Sequence, residues 1–357
     1  MSSKKEEALS HIKEAEKHLK TSFLKWKPDL DSAADEYNKA ATCYKTVRAY
    51  AECRDALSKA ANCYQQNRSL FAAAKCYEQG ILMSKELGDL ATVVTLCERA
   101  AQLYQQHGSP ESAAQCLEKA AKIVETPRPA DAVPLYQRAA DVVMLEDRQR
   151  TAANYVSKVC RLLVRLGRYD EAVSAALREM GYQQEMEDAA QCGRLTVVLV
   201  LLHLARDDVV AARKAFDEWG TYCEREEVAT LTTLLEGYED EDPELARRAL
   251  NSSFIKHMDI DYAKLAKSLK LPEQTVNPVK EAPAASAEPA AAALPAQFGS
   301  VSVSEPAAAG QGDPGDTDAP APAPAPAPAE PAEPAAAPAE PAGPADDDDD
   351  EYSGGLC

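Results

Sequence analysis

Residues 37–44 read YNKAATCY, residues 57–64 read LSKAANCY and residues 97–104 read CERAAQLY. Related stretches begin at residues 77, 117, 136 and 156, so the pattern returns every 19 or 20 residues. The fourth position is small or compact in every copy: Ala40, Ala60, Gly80, Ala100, Ala120, Ala139 and Val159. Self-similarity at a fixed period indicates a repeat architecture, in which each unit buries its apolar face only by stacking on its neighbours.

Each copy predicts one helix, because its apolar and small residues recur three and four positions apart. Twenty residues accommodate a helix of about sixteen residues, roughly 24 Å long, and a short turn. A second period of about forty residues predicts antiparallel hairpins, since every other copy follows an alanine pair: Ala33-Ala34, Ala73-Ala74, Ala113-Ala114 and Ala152-Ala153. Pro134 lies inside the unit AVPLYQRAA, residues 132–140, so we expect this helix either to start late or to be kinked there.

The predicted fold class is all-α: a TPR-like, right-handed superhelical solenoid of antiparallel helical hairpins, with a C-terminal helical cap and a disordered tail. We place the stacked hairpins at residues 1–185 and a C-terminal helical bundle at 186–270. A disordered linker rich in Ala, Pro and acidic residues follows at 271–350, because this composition cannot form a packed core. The chain ends in the motif EYSGGLC at 351–357. No stretch alternates with period two, so no sheet is expected.

The charge of the chain is concentrated in its tail. Of the formal net charge of -19, most lies after residue 270, where sixteen Asp and Glu stand against one Lys. The body is therefore nearly neutral, and nothing in it resembles the basic footprint of a nucleic-acid-binding protein. The longest apolar run, residues 195–205, is too short to cross a bilayer and predicts a buried helix. The N-terminal residues lack the apolar core of a signal peptide, which favours a cytoplasmic location.

Residue patterns of catalytic and metal sites are missing from the sequence. There is no phosphate-binding GxxxxGK[ST] loop, no GxSxG turn and no HExxH helix, so we expect neither an enzyme nor a cofactor. The ten cysteines occur singly in helical patterns, without CxxC pairs or histidines at ligand spacing. They are interpreted as small core residues in a reducing compartment, and no metal site is predicted.

The stretch TSFLKWKPD, residues 21–29, differs from its surroundings because it places three large apolar side chains among lysines. One interpretation is a hydrophobic staple that folds back on the first hairpin. The other is a protruding loop that dips into a membrane surface, where each buried apolar side chain contributes roughly 1.5–3 kcal/mol. Each nearby lysine would add about 1 kcal/mol over anionic lipid. The residues of this loop are Phe23, Leu24, Lys25, Trp26 and Lys27.

Taken together, the loop, the forty-residue hairpins, the segments LLEGYEDED and FIKHMDIDYAKL and the end DDDDDEYSGGLC resemble the soluble NSF attachment proteins, the SNAP family, and its gamma type in particular. The likeness covers residues 1–270 and the last dozen residues. It implies an adaptor of vesicle fusion and membrane trafficking, peripheral on the cytosolic face of membranes. Such adaptors lie against the four-helix SNARE bundle, of syntaxin-type and related chains. They recruit the hexameric ATPase NSF to disassemble that bundle.

The resemblance also implies roles for individual residues. The loop of Phe23, Leu24 and Trp26, with Lys25 and Lys27, corresponds to the family's membrane attachment, and Leu356 corresponds to a leucine that stimulates the ATPase. We expect an acidic patch on the cap to meet a basic surface of NSF: Glu236, Glu239, Asp240, Glu241 and Asp242. We expect cations on the helical stack to contact the acidic SNARE bundle: Lys119, Lys122, Lys158, Arg161 and Arg165.

The sequence differs from the family pattern in two respects, and one alternative function is considered. Lysines that contact SNAREs in alpha-type relatives match Gln115 and Asn154 here, so those contacts do not transfer. The Ala/Pro tail is longer than the resemblance leads us to expect. The rival is a generic helical-repeat scaffold, such as a cochaperone-type adaptor that clamps peptides. That adaptor requires Asn, Lys and Arg repeating at 34 residues on the inner helices, whereas the period here is forty.

Overall fold

A computed structural model describes residues 2–21 and 26–273. Within these ranges the regular structure is entirely helical, without a strand. The helices are α1 (Ser2–Leu19), α2 (Leu30–Thr46), α3 (Tyr50–Gln66), α4 (Leu70–Glu86), α5 (Leu90–Gln106), α6 (Pro110–Val124), α7 (Pro129–Met144), α8 (Gln149–Arg165), α9 (Tyr169–Glu185), α10 (Ala189–Ala205), α11 (Val209–Trp219), α12 (Arg225–Glu239), α13 (Pro243–Leu250), α14 (Ser253–His257) and α15 (Ile260–Ser268). A single 3-10 turn, Gly220–Tyr222, follows α11. The all-α prediction is confirmed, whereas the four domain boundaries stay predictions.

The repeat read from the sequence corresponds to one helix per twenty residues. From α2 to α10, the first residues of consecutive helices are 19 or 20 positions apart, and each helix contains 15 to 17 residues. Turns of three or four residues join them, and turns this short make consecutive helices antiparallel. Each helix from α1 to α10 packs against the next one in the chain. The helices therefore form a continuous stack of hairpins.

Small residues occupy the points where the helices cross. The compact fourth positions of the repeat are buried, as are the alanine pairs of α2, α4, α6 and α8. At Gly80 a built Cβ would lie only 3.1 Å from Leu96 Cδ1 on the following helix. A side chain larger than a methyl group at such positions would force the helix axes apart. The recurring Ala and Gly therefore set the spacing of the stack.

Most turns share a second requirement, one residue with positive φ, which the turn between α6 and α7 lacks. Glycine meets it at Gly88, Gly108 and Gly167, with φ between 70° and 80°. Other turns place a residue with a side chain in this conformation: Arg48, Arg68, Asp147, Glu187, Asp207 and Glu241. The left-handed region costs residues with a Cβ roughly 1–2 kcal/mol each, and glycine avoids this cost.

Pro134 lies within α7, which begins at Pro129. The prediction that this helix starts late is therefore wrong.

The C-terminal helices pack around α10. Residues 195–202 of α10 are all buried, which confirms that the longest apolar run is a core helix. Helix α10 contacts α9, α11, α12 and α15, and α15 also contacts α8. The cap is thus attached to the stack through both α10 and α15. None of the described helices is long and apolar enough to span a membrane.

Few polar groups are buried in this core, and the nine described cysteines are free thiols, eight of them buried. Among the described residues, three buried side-chain atoms lack a hydrogen-bond partner: Ser84 Oγ, Glu179 Oε2 and Tyr262 Oη. Burial raises the pKa of Glu179 to about 7, although a hydrogen bond with Ser157 and the charge of Arg161 oppose the rise. A carboxyl group that resists ionisation near neutral pH weakens the fold whenever it is charged.

Replacing Gly88 by Ala tests the positive-φ turns. The added Cβ meets nothing within 4 Å, so the backbone conformation alone decides the outcome. We expect Gly88→Ala to lower the free energy of unfolding by about 1 kcal/mol in urea titration. Gly181→Ala is the matched control, because Gly181 lies within α9 with equally open space. It should raise stability by about 0.5–1 kcal/mol, and equal effects at both sites would contradict the account.

Replacing Glu179 by Gln tests the cost of the buried carboxyl. Its folded-state pKa of about 7 lies above the ordinary value of 4.5. Its stabilising contribution is therefore complete below about pH 4.5 and is lost as the pH rises through 7. Between pH 4.5 and pH 8, ionisation of Glu179 should lower the free energy of unfolding by up to about 3 kcal/mol. The variant Glu179→Gln should not show this decrease. Glu185→Gln, an exposed change on the same helix, should leave that slope intact; an unchanged slope in both variants would refute the assignment.

Candidate functional site

The N-terminal loop is tied at its base. The backbone N–H of Asp29 donates to the carbonyl of His18 at 3.1 Å, and the His18 ring lies 3.5 Å from the Asp29 carboxylate. Asp29 also begins α2 as its N-cap, accepting from the Ser32 N–H at 3.1 Å. These contacts bring the two ends of the segment between α1 and α2 together. The end of α1 and the start of α2 therefore lie next to each other.

Within this loop the structure describes Trp26 and Lys27, whereas Phe23, Leu24 and Lys25 lie outside the described residues. The side chain of Trp26 is 85% exposed, and Lys27 is exposed as well. A staple requires its apolar side chains to be buried against the hairpin. The exposure of Trp26 therefore favours the protruding loop over the staple at this residue.

The five cations expected to contact SNAREs are all engaged within the chain. Glu78 on α4 accepts from Lys119 on α6 at 2.6 Å. Glu118 on α6 accepts from Lys122 at 2.8 Å and from Lys158 on α8 at 3.0 Å. The two glutamates stand forty residues apart at the same position of the repeat. Each glutamate pairs with a lysine two helices later in the chain. We name these four residues the ladder: Glu78, Lys119, Glu118 and Lys158.

The ladder shifts the ionisation of its carboxylates. Burial raises the pKa of Glu78, but hydrogen bonds from Lys119, Tyr104 and Lys75 outweigh it and hold the pKa below its ordinary value. Burial and two lysine hydrogen bonds act on Glu118 in the same opposed way, again with a lowered pKa. Both carboxylates are therefore ionised at neutral pH and bind their lysines as ion pairs.

Arg161 and Arg165 at the end of α8 pair with the cap. Arg161 Nη1 lies 2.5 Å from Asp259 Oδ2, and Arg165 Nη2 lies 2.8 Å from Asp261 Oδ2. Asp259 is also the N-cap of α15, accepting from the Asp261 N–H at 3.1 Å. We name these two pairs the clamp. Both aspartates belong to the distinctive segment KHMDIDYAKL, whose role no local pattern reveals because the pairs join residues 96 and 98 positions apart.

Four of the nominated cations meet at one cavity of about 300 Å³: Lys122, Lys158, Arg161 and Arg165. Glu125, Asp259 and Asp261 line the same cavity, so the surface is balanced in charge rather than strongly basic. Lys119 is not part of this lining. The structure thus brings most of the predicted residues together, and it also supplies the acidic partners that the prediction did not include.

The acidic patch of the cap divides into structural and exposed members. Arg213 donates two hydrogen bonds to Glu239, at 2.7 and 2.6 Å, and these lower the pKa of Glu239. Asp242 is the N-cap of α13 and accepts from the N–H groups of Glu244 and Leu245. The remaining members, Glu236, Asp240 and Glu241, are exposed at the end of α12 and the turn after it. Leu356 lies outside the described residues.

One group of side chains with metal-ligating atoms occurs in the described part of the chain. Atoms of Glu7, His11 and Cys43 lie within 4.8 Å of one another. No spacing in the sequence predicts this group, because Glu7 and His11 lie on α1 and Cys43 lies on α2. Glu7 pairs with Lys4 at 2.7 Å, and His11 Nδ1 lies 2.7 Å from a carboxylate oxygen of Glu36. These pairings account for the group without an ion.

A family model and two named relatives match most of this chain. The family model described as "Soluble NSF attachment protein, SNAP" matches residues 6–252, from α1 through α13. The Gamma-soluble NSF attachment protein of Dictyostelium discoideum is 25% identical over 280 residues, covering 78% of this chain and 86% of that protein. The protein of the same name from Arabidopsis thaliana is 25% identical over 263 residues, covering 72% of this chain and 90% of that protein.

Solved structures are more distantly similar. BtubC (BKLC) from P. vanneervenii has a TM-score of 0.31 at 15% identity and covers 62% of this chain and 90% of that one. Aspartyl phosphate phosphatase F from Bacillus subtilis has a TM-score of 0.34 at 11% identity, covering 68% of each chain. These likenesses carry no argument about function. The match to the family model spans more than half of the chain. This chain therefore belongs to the SNAP family of soluble NSF attachment proteins.

Proposed function

We propose that this chain is an adaptor that binds assembled SNARE bundles and recruits the NSF ATPase, stimulating it to disassemble them during vesicle fusion. The observation that carries the proposal is the family match over residues 6–252, which includes both the helical stack and most of the cap. An adaptor of this kind performs no covalent chemistry itself. It acts in the cytosol and associates peripherally with membranes.

The SNARE-contacting surface is proposed to include the cavity lined by Lys122, Lys158, Arg161 and Arg165, with Lys119 beside it. Because each cation is already paired, an acidic SNARE side chain must compete with an internal carboxylate. Exposed or partly exposed ion pairs contribute only about 0–1 kcal/mol each, so exchange between partners has a small net cost. Contact with SNAREs is then the sum of several weak exchanges rather than one dominant residue.

The acidic patch is proposed to meet a basic surface of NSF, with Leu356 in the tail stimulating the ATPase. Glu236 and Asp240 are the residues that test this, because Glu239 and Asp242 stabilise α12 and α13 through their own hydrogen bonds. Loss of NSF binding after changing Glu239 or Asp242 would confound a binding effect with a folding effect. Exposed charges act over about 10 Å at 0.1 M salt, so this contact should be sensitive to ionic strength.

Capture of NSF tests the proposal. The full chain is mixed with purified NSF, with and without an assembled SNARE bundle, while ATP hydrolysis is blocked. We expect stable capture only when the bundle is present, and several-fold weaker capture by the variant Glu236→Gln/Asp240→Asn at low salt. Glu86→Gln/Glu98→Gln removes two exposed charges elsewhere and should bind normally. Absence of capture by the unchanged chain would refute the adaptor role, whereas equal capture by both variants would refute only the acidic contact.

Membrane attachment is tested separately through the loop. The variant Phe23→Ser/Trp26→Ser should co-sediment with anionic liposomes at least about tenfold less, since each lost apolar side chain removes roughly 1.5–3 kcal/mol of burial. Its melting temperature should stay close to that of the unchanged chain.

The matched control is Leu145→Ser/Val210→Ser, which removes two apolar side chains that are 73% and 81% exposed outside the loop. Liposome binding of this variant should be unchanged. A large fall in the melting temperature of the loop variant would support the staple instead, and undiminished co-sedimentation would exclude membrane attachment by these residues.

A further inference from the structure

A cavity of about 630 Å³ lies where the helical stack meets the cap. Its lining comes from α8, α9, α10, α12, α14 and α15. It is distinct from the smaller cavity of the nominated SNARE cations, although Arg161 and Asp259 border both. Cavities of a few hundred Å³ at junctions between packed units are the usual sites of small ligands and inserted side chains.

Two side chains of this cavity have unmet hydrogen-bonding capacity. Glu179 and Tyr262 both line it, each is only 6% exposed, and Glu179 Oε2 and Tyr262 Oη are without a partner among the described residues. The other two carboxylates that line the cavity, Asp259 and Glu226, have partners. Asp259 pairs with Arg161, and Glu226 lies at the exposed side, where it accepts from the Ser253 hydroxyl at 3.1 Å. Glu179 is therefore the buried carboxyl of this cavity that keeps one oxygen without a partner, beside its hydrogen bond with Ser157.

The chemistry of these two atoms selects the ligand. A carboxylate oxygen only accepts hydrogen bonds, and a phenol oxygen is able to accept as well. An ammonium group offers three donors and no acceptor, so one head group can satisfy both atoms. An anionic ligand would instead face a second negative charge in a region of low dielectric constant. The last side-chain bond of Glu179 is a soft torsion, so its two oxygens can exchange positions at low cost.

We propose that the junction cavity binds an aliphatic ammonium ion, with the head group on Glu179 and Tyr262 and the stem against apolar side chains. Leu195 and Val198 of α10, with Phe254 of α14 and Met258 after it, supply the apolar wall. Two sources have this chemistry, a free small amine and the lysine side chain of a protein. The proposal is independent of the adaptor function, since it requires only the cavity.

Binding should depend on pH through Glu179, because an ammonium ion binds the ionised carboxyl. The charged and titratable groups facing Glu179 come from five neighbours of α9: Cys160 and Arg161 of α8, Arg194 of α10, Glu226 of α12, His257 of α14, and Asp259 with Tyr262 of α15. His257 lines the same cavity, so its contribution must be separated from that of Glu179 by mutation.

The experiment is a saturation-transfer NMR titration of the full chain with n-pentylamine at pH 8 and pH 6. We expect saturable binding at pH 8 and about tenfold weaker binding at pH 6, since the ionised fraction of a group with a pKa near 7 falls by about that factor. The uncharged isostere 1-pentanol should not compete. Equal binding of pentanol, or no saturable binding of the amine at pH 8, would overturn the proposal.

Three variants identify the side chain that causes the pH dependence of amine binding. Glu179→Gln should weaken amine binding at pH 8 about tenfold or more and abolish its pH dependence. Glu226→Gln removes a carboxylate at the exposed side of the same cavity and should change affinity by less than about twofold. His257→Gln should retain the pH dependence. Unchanged binding by Glu179→Gln, or loss of the pH dependence in His257→Gln alone, would contradict the role given to Glu179; melting curves at pH 8 verify that each variant is folded.

A second arm distinguishes the source of the ammonium ion. The capped tripeptide acetyl-Gly-Lys-Gly-amide is titrated under the same conditions. Binding at least as tight as that of pentylamine, and equally sensitive to Glu179→Gln, supports insertion of a protein lysine. Binding of pentylamine alone supports a free small amine. Failure of both would overturn the site.

Discussion

The structure depends on one steric constraint, the small residue at each crossing of neighbouring helices. At Gly80 even a methyl group would approach Leu96 to 3.1 Å, and the equivalent alanines are buried in every hairpin of the stack. Because this residue returns about every twenty positions, each helix meets its neighbours at a similar point along its length. The same period places the turns, and it places Glu78 and Glu118 on one line. The stack and the ladder are thus two consequences of one repeat.

The cap is held on this stack by polar as well as apolar contacts. Helix α10 supplies the apolar core, while the clamp connects the last basic residues of α8 to the start of α15. Asp261 is buried, and Arg165 provides its counter-charge, so removing either partner alone would leave a charge uncompensated. The Arg161–Asp259 pair of the clamp borders both cavities. Displacement of this pair at the smaller cavity would therefore also change the lining of the larger one.

Much of the fold was predictable because its signals are local and repeated. Helix length, helix spacing and the buried run in α10 follow from residue patterns within twenty positions. Pro134 shows the limit of such reasoning, since a late start or a kink was expected and α7 begins at Pro129, five residues before this proline. The candidate surfaces were predictable only in part. Positive residues on α6 and α8 were identified, but not the acids that pair with them.

The reason is that ion pairs between helices join residues far apart in the chain. Lys158 meets Glu118 across forty residues, and Arg165 meets Asp261 across ninety-six. The surroundings of Glu179 are equally invisible in the sequence, because the cavity that it lines also includes residues of α12, α14 and α15, far along the chain. Periodicity predicts which face of a helix is buried, whereas the partner of a charged side chain depends on how distant segments dock. The acidic patch of the cap illustrates this, since two of its five members stabilise helices.

Amide hydrogen exchange under native conditions tests most directly the claim that repeat and cap form one cooperative structure. Amides within α8 and α15 should open together, with a common free energy of exchange, because the clamp and the apolar contacts of α15 join them. Slow-exchanging amides should also recur in blocks of about one helix every twenty residues from α2 to α10. Exchange of α15 at the rate of an unstructured peptide, while α8 remains protected, would contradict the account.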